Sequence, residues 1–298
     1  MRVVYSPRYH IDIGTHVFPT IKYALLHRQL DDAGGYEFSE PSAVSWEELA
    51  LVHTDEYLRK VRTGDLTMAE IAQLELPWTP EIVEGFRLMT GGTVVAARHA
   101  LDAASRGVGV NLGGGFHHAF SNHGEGFCLF NDVAVAIRLL QREGRIARAA
   151  IVDCDVHHGN GTAMIFDRDS AVFTMSIHQQ YNYPAFKPRS ALDIGVADRL
   201  SDAEYMSRLQ GALPRVMEFA PDIVFYLAGA DPFENDQLGG LALTKAGLSA
   251  RDRLVLETCL DADVPVVITL AGGYARKVED TVAIHRATIE QARAVLRA

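Results

Sequence analysis

Short apolar runs that stop abruptly at glycine, histidine or aspartate recur along this chain, and they set its architecture. Residues 108–112 run into Gly113-Gly114-Gly115-Phe116-His117-His118, and residues 149–152 run into Asp153-Cys154-Asp155-Val156-His157-His158. Residues 223–228 end at Gly229-Ala230-Asp231, and residues 264–270 at Ala271-Gly272-Gly273-Tyr274. A continuous apolar run bounded by turn residues reads as a strand buried on both faces, the pattern of a parallel sheet. Residues 3–5 and 171–177 give two more strands. Between them lie helical patterns at about 19–30, 45–60, 80–105, 128–141, 201–219 and 248–260, with a closing helix after Tyr274. Pro19 stands near one helix start, where a missing N–H costs little, and Ser45-Trp46-Glu47-Glu48 has the form of a capping box. Strand and helix alternate with no dividing linker. The expectation is one α/β domain over 1–298, a mostly parallel central sheet flanked by helices.

In such sheets the ligand crevice lies at the C-terminal ends of the strands. The four polar clusters therefore converge, although they are far apart in sequence. In an extended chain Asp153, Asp155 and His157 share one face. Carboxylate and imidazole without thiolate suit zinc, or iron, cobalt or manganese. Asp155, His157 and Asp231 supply three ligands and leave a position open, the catalytic arrangement. The pair His117-His118 offers a general base and acid, with Asp153 holding one imidazole and Asn160 the other. Tyr274 offers an O–H to a developing oxyanion. On the residues alone two blander readings stay open: Asp155 and His157 only pairing with each other or capping the helix that follows, and one of the tandem histidines serving the core.

Composition narrows the class. A net charge of −10 argues against a nucleic-acid partner, which needs a basic face, and is compatible with cationic substrates. Three scattered cysteines (Cys128, Cys154, Cys259) make neither a disulfide framework nor a thiolate site. The segment MRVVYSPRYH lacks an apolar signal core, and no run approaches the ~18 apolar residues of a membrane span. The expectation is a soluble cytoplasmic protein without a membrane partner.

The segments VHTDEYL (52–58), GGGFHHA (113–119), GFCLFND (126–132), DCDVHHGNGT (153–162), LAGADPFENDQLGG (227–240) and LAGGY (270–274) resemble, in order, the motif series of the histone deacetylase superfamily. That superfamily includes bacterial deacetylases, acetylpolyamine amidohydrolases and acetoin-utilisation proteins, on an arginase-like fold. The resemblance implies one zinc ion per chain on Asp155, His157 and Asp231, with Tyr274 and the tandem histidines acting on the substrate. It implies removal of acetyl or longer acyl groups from lysine side chains of peptides or proteins. Phe127 and Tyr183 match the walls of the acyl-lysine channel, Gly126 the carbonyl that accepts the substrate amide N–H, and Asp153, Ser176 and Phe166 lie where relatives bind potassium. Asn160, where aspartate is common, and the DQLGG after Asp231 look most like the bacterial class IV-type branch. The loop Leu76-Pro77-Trp78 has no carboxylate where many relatives grip the substrate backbone, and Glu75 is the nearest acidic residue. A ureohydrolase would carry a second-metal carboxylate where Gly159 stands. Small acetylated amines such as acetylpolyamines are the alternative substrate, though the chain shows no entrance-narrowing insertion.

Overall fold

In the computed structural model, which describes residues 1–297, the chain runs through β1 (Arg2–Val4), α1 (Ile21–Ala33), β2 (Glu37–Ser39), α2 (Trp46–Leu49), α3 (Asp55–Thr63), α4 (Met68–Leu74), α5 (Pro80–Ala100) and β3 (Val108–Asn111). It continues through α6 (Asp132–Arg142), β4 (Ala149–Asp153), α7 (Asn160–Ile165), β5 (Val172–Gln179), β6 (Leu192–Val196) and α8 (Asp202–Glu218). The last elements are β7 (Ile223–Leu227), α9 (Lys245–Asp261), β8 (Val266–Thr269) and α10 (Val278–Val295). The strands form one sheet in the order β2-β1-β3-β8-β7-β4-β5-β6. Every pairing is parallel. The expected α/β class holds.

The four central strands, β3, β8, β7 and β4, are buried along their whole length, which is why their sequences read as unbroken apolar runs. Helices cover both faces closely: a Cβ on Gly109 of β3 would lie 1.9 Å from the Ala96 carbonyl oxygen of α5. Among the described residues no helix is long and apolar enough to cross a membrane.

The structure departs from the sequence reading where local chemistry interrupts a pattern. The helix expected over 45–60 is two, α2 and α3, because His53 turns into the core between them. Its Nδ1 donates to the Phe120 carbonyl (3.0 Å) and its Nε2 accepts the Asn131 N–H (3.1 Å). Thr54 then caps α3. The helix expected from residue 128 starts at Asp132, where Asn131 caps it through the Ala134 N–H, so residues 128–131 belong to a loop. The long helix stops at Ala100. Two edge strands, β2 and β6, and the short helix α4 are additional.

Candidate active site

The loops after β3, β4, β7 and β8 meet at one edge of the sheet. Behind β4, Asp155, His157 and Asp231 bring one ligand atom each within 4.8 Å of one another, and all three are buried. His157 Nδ1 lies 3.0 Å from Asp155 Oδ1 and 3.5 Å from Asp231 Oδ2. Backbone amides take the outer oxygens: Gly272 N–H donates to Asp155 Oδ2 (2.8 Å), and Val156 N–H to Asp231 Oδ1 (2.9 Å). Asp231 Oδ2 is buried with no hydrogen-bond partner. A buried carboxylate oxygen left unpaired is costly unless something positive meets it. Burial and the Asp155 charge accordingly push the Asp231 carboxyl up. A Cβ at position 272 would lie 1.9 Å from that oxygen, so only glycine fits there. Two carboxylates, one imidazole and an orphaned oxygen fit a divalent ion. The simpler reading, in which Asp155 and His157 only pair with each other, leaves that oxygen unexplained.

The tandem histidines sit beside this cluster with different partners. His117 Nδ1 donates to Asp153 Oδ2 at 2.7 Å, and His118 Nδ1 to Asn160 Oδ1 at 2.7 Å. The consequence is a split in charge. Burial works against the His117 imidazolium, but Asp153 and Asp155 outweigh it and raise its pKa to about 9. Burial and the charges of His117 and His157 drive His118 well below the ordinary histidine range. The proton is thereby favoured on His117 and the neutral ring on His118, with their Nε2 atoms 3.1 Å apart. Both lie beside the ligand cluster, with His117 Nε2 3.7 Å from Asp155 Oδ1.

Tyr274 is buried, and its backbone N–H is held by Asp236 Oδ2 at 2.7 Å. Asp236 also receives the Leu238 and Gly239 N–H groups, so the DQLGG segment fixes the loop after β8. Burial, then Asp155 and Asp231, push the Tyr274 phenol well up, which keeps it an O–H donor. Its ring stands edge-on to Phe127 (5.8 Å) and His157 (6.5 Å). Tyr183 meets His118 edge-on at 5.0 Å, so both expected wall residues border the cluster. Gly126 has φ 51°, and a Cβ there would press on His118 Cδ2 and the Tyr183 ring, at 2.9 and 3.0 Å. Its carbonyl receives the Cys128 thiol at 3.4 Å. Of the expected potassium-site residues, Ser176 pairs in register with Asp153, while Phe166 lies beyond the C-terminal end of α7 beneath the Arg138 guanidinium.

Four further residues belong to this region and were not singled out as site residues from sequence. Lys22 is fully buried, its amine donating to the Ala271 carbonyl (2.9 Å) and 6.0 Å from the Tyr274 ring centre. Burial lowers its pKa to about 8 against the pull of Asp231, Asp155 and Asp236. Asp236 is the anchor of the tyrosine loop. Glu75 ends α4 with φ 59°, its carbonyl receiving His16 Nε2 (2.9 Å), whose ring stacks edge-on against Phe127 at 4.8 Å. The rim therefore carries a carboxylate one residue before the loop where none was found. Glu125 is the fourth: it accepts from Asn160, Tyr183 and Gln73. A second cluster joins His178 of β5 and Asp193 of β6 to His158 of the segment between β4 and α7, with His158 Nε2 3.1 Å from Asp193 and His178 Nδ1 3.0 Å from Ser176 Oγ.

The family model described as "Histone deacetylase domain" matches residues 16–289. An uncharacterised protein of a Picosynechococcus species is 41% identical over 288 residues, 95% of each chain. Histone deacetylase 2 of Arabidopsis thaliana is 30% identical over 302 residues, covering 94% of this chain and 77% of its own. The crystal structure of an acetylpolyamine aminohydrolase from Burkholderia pseudomallei superposes with a TM-score of 0.81 over 99% of both chains, at 22% identity. That likeness shows the shared fold.

Proposed function

The chain belongs to the histone deacetylase family, and on that premise we propose that it is a zinc-dependent deacylase acting on the lysine side-chain amide of peptides or proteins. Amide hydrolysis is the family's chemistry. The observation that supports the finer reading is the meeting of two tandem histidines, held by Asp153 and Asn160, with a three-ligand cluster that has an orphaned carboxylate oxygen. Held by Asp155, His157 and Asp231, a zinc ion supplies Lewis acidity toward the substrate carbonyl and makes water easier to deprotonate.

The rest falls to side chains of this protein. Phe127 and Tyr183 enclose the lysine stem and exclude water, and the Gly126 carbonyl orients the amide by accepting its N–H. His118 Nε2 takes the proton from the attacking water and, once protonated, returns it to the departing amine. His117, oriented by Asp153, stabilises the negative charge that builds beside it. Tyr274 donates its O–H to the oxygen of the tetrahedral intermediate. Asp153 fixes His117, and Asn160 fixes His118, in the required orientation. Tyr274→Phe is expected to lower kcat by ~10²–10³ with little change in KM, the loss typical of one oxyanion donor. Steady-state kinetics with the zinc-loaded variant checks this, and an unchanged kcat takes the tyrosine out of the mechanism.

A second reading, hydrolysis of small acetylated amines, is favoured by the rim carboxylate of Glu75, which lies near enough to Glu125 and Tyr183 to act on their charge. One panel separates the two: kcat/KM for acetyl-, octanoyl- and myristoyl-lysine in a single peptide, alongside acetylated polyamines. The proposal expects the peptides to be preferred and chains longer than acetyl to be accepted. Each methylene buried beyond the ion contributes ~0.8 kcal/mol, about fourfold in rate. A steep fall beyond acetyl means a closed pocket and a plain deacetylase. A preference for the polyamines gives the substrate to the second reading.

A further inference from the structure

The two imidazoles are fixed by different kinds of partner, and the difference leaves a gap. Asp153 can only accept, so His117 must present an N–H to it. Asn160 cannot impose the same order by itself. Its amide has an accepting oxygen and a donating nitrogen of nearly equal shape, and a half-turn would exchange them. Flipped, Asn160 would donate to His118 Nδ1, and the histidine proton would move to Nε2, where it abolishes the base. Something must hold the amide one way round.

Glu125 stands where that something is needed. Its Oε1 lies 2.6 Å from Asn160 Nδ2, and a carboxylate accepts only. Three more groups point at the same carboxylate: Tyr183 Oη at 3.2 Å, Gln73 Nε2 at 2.9 Å and His123 Nε2 at 3.4 Å. Burial raises its pKa, and these hydrogen bonds more than offset that, so it remains ionised. Its backbone is pinned too, the Glu125 N–H donating to the Cys128 carbonyl (3.1 Å) and the Cys128 N–H to the Glu125 carbonyl (2.9 Å). We propose that Glu125 is a positioning residue: by taking the Asn160 N–H it turns the amide oxygen toward His118, keeping the His118 proton on Nδ1 and its Nε2 free to accept. The His117 N–H also faces Nε2 in the resting site, but the attacking water must take that place during turnover. The Glu125–Asn160 bond then holds the tautomer. The same carboxylate anchors the Tyr183 hydroxyl, so the channel wall and the base share one fixed point.

This inference rests on the deacylase reading for its kinetic consequence, and its test has a readout that does not. Glu125→Gln keeps the size of the side chain but can meet either end of the Asn160 amide, so the orientation is no longer imposed. In zinc-loaded protein with ¹⁵N-labelled histidine and His117→Ala, which removes the other group facing Nε2, Glu125 is expected to leave His118 protonated on Nδ1 alone, and Glu125→Gln to show both tautomers. With His117 in place, the kcat of Glu125→Gln should fall about tenfold, the loss of one charge-assisted orienting bond, with KM changed less than kcat. Adding Asn160→Asp to that variant should recover most of kcat, because a carboxylate at 160 accepts from Nδ1 in either orientation. A merely structural role for Glu125 predicts no recovery. A single Nδ1–H tautomer in Glu125→Gln, or a double variant no faster than the single, overturns the proposal. Wild-type protein inactive on every substrate of the panel would sink the deacylase reading, and the tautomer measurement would still judge Glu125.

Discussion

Asp231→Ala is expected to lose the metal ion and the activity together, while the ion-free protein keeps its fold. Asp231 Oδ2 is the one ligand oxygen with no partner in the protein, and its carboxyl is pushed up by burial and by Asp155. Without an ion the side chain is therefore a strain, and removing it relieves like-charge repulsion. With an ion it is a third of the ligand set. The signature is thus a pairing of results: metal content per chain collapses and kcat with it, whereas the melting temperature of metal-stripped variant matches or exceeds that of metal-stripped wild type. Full occupancy in the variant would refute the site. So would two tightly held ions in the wild type that both survive the substitution, since His158, His178 and Asp193 are the other group able to hold one.

His118→Ala is expected to do the converse, leaving the ion in place and lowering kcat by ~10²–10⁴, the usual contribution of a general base. His118 touches none of the three ligands by a hydrogen bond; its partners are Asn160 and His117. Its burial, the first cause of its lowered pKa, favours the neutral ring, which is the state a base needs. Metal analysis and kcat measured on the same preparation check both halves. Retained kcat would move the base elsewhere, His117 being the nearest other imidazole.

The core of this site was legible because of where polar residues interrupt apolar runs. Strands β3, β4, β7 and β8 are buried on both faces, so the first histidine, aspartate or tyrosine beyond each had to lie at the sheet edge. Strands β2 and β6 left no such trace. Both are edge strands, one of three residues and the other alternating between half-buried and exposed positions, so neither needs an apolar run. Helix α7 is six residues opened by Gly159 without a side-chain cap, too short for a periodic signal. Lys22 sits in an amphipathic helix, where lysine ordinarily faces water, and only the packing against Tyr274 and Ala271 reveals it as buried. Glu125 escaped for a related reason, and Glu75 was seen only as the nearest acidic residue to the entrance loop. A lone glutamate in a loop carries no spacing, and the meaning of Glu125 lies in partners such as Asn160 that are distant in sequence.

The order of the strands also decides when the site can come into being. Val108 of β3 pairs with Val266 of β8, so the loop bearing His117 and His118 has its neighbour on that side only when nearly the whole chain has been synthesised. Until then β3 has an unpaired edge, and no amino-terminal fragment can hold the catalytic groups at their spacing. Parallel pairings between such remote segments are slow to form and leave apolar edges open while they wait. A growing chain of this protein therefore spends most of its synthesis as an aggregation hazard, and shortening it before β8 removes the enzyme outright rather than by degrees.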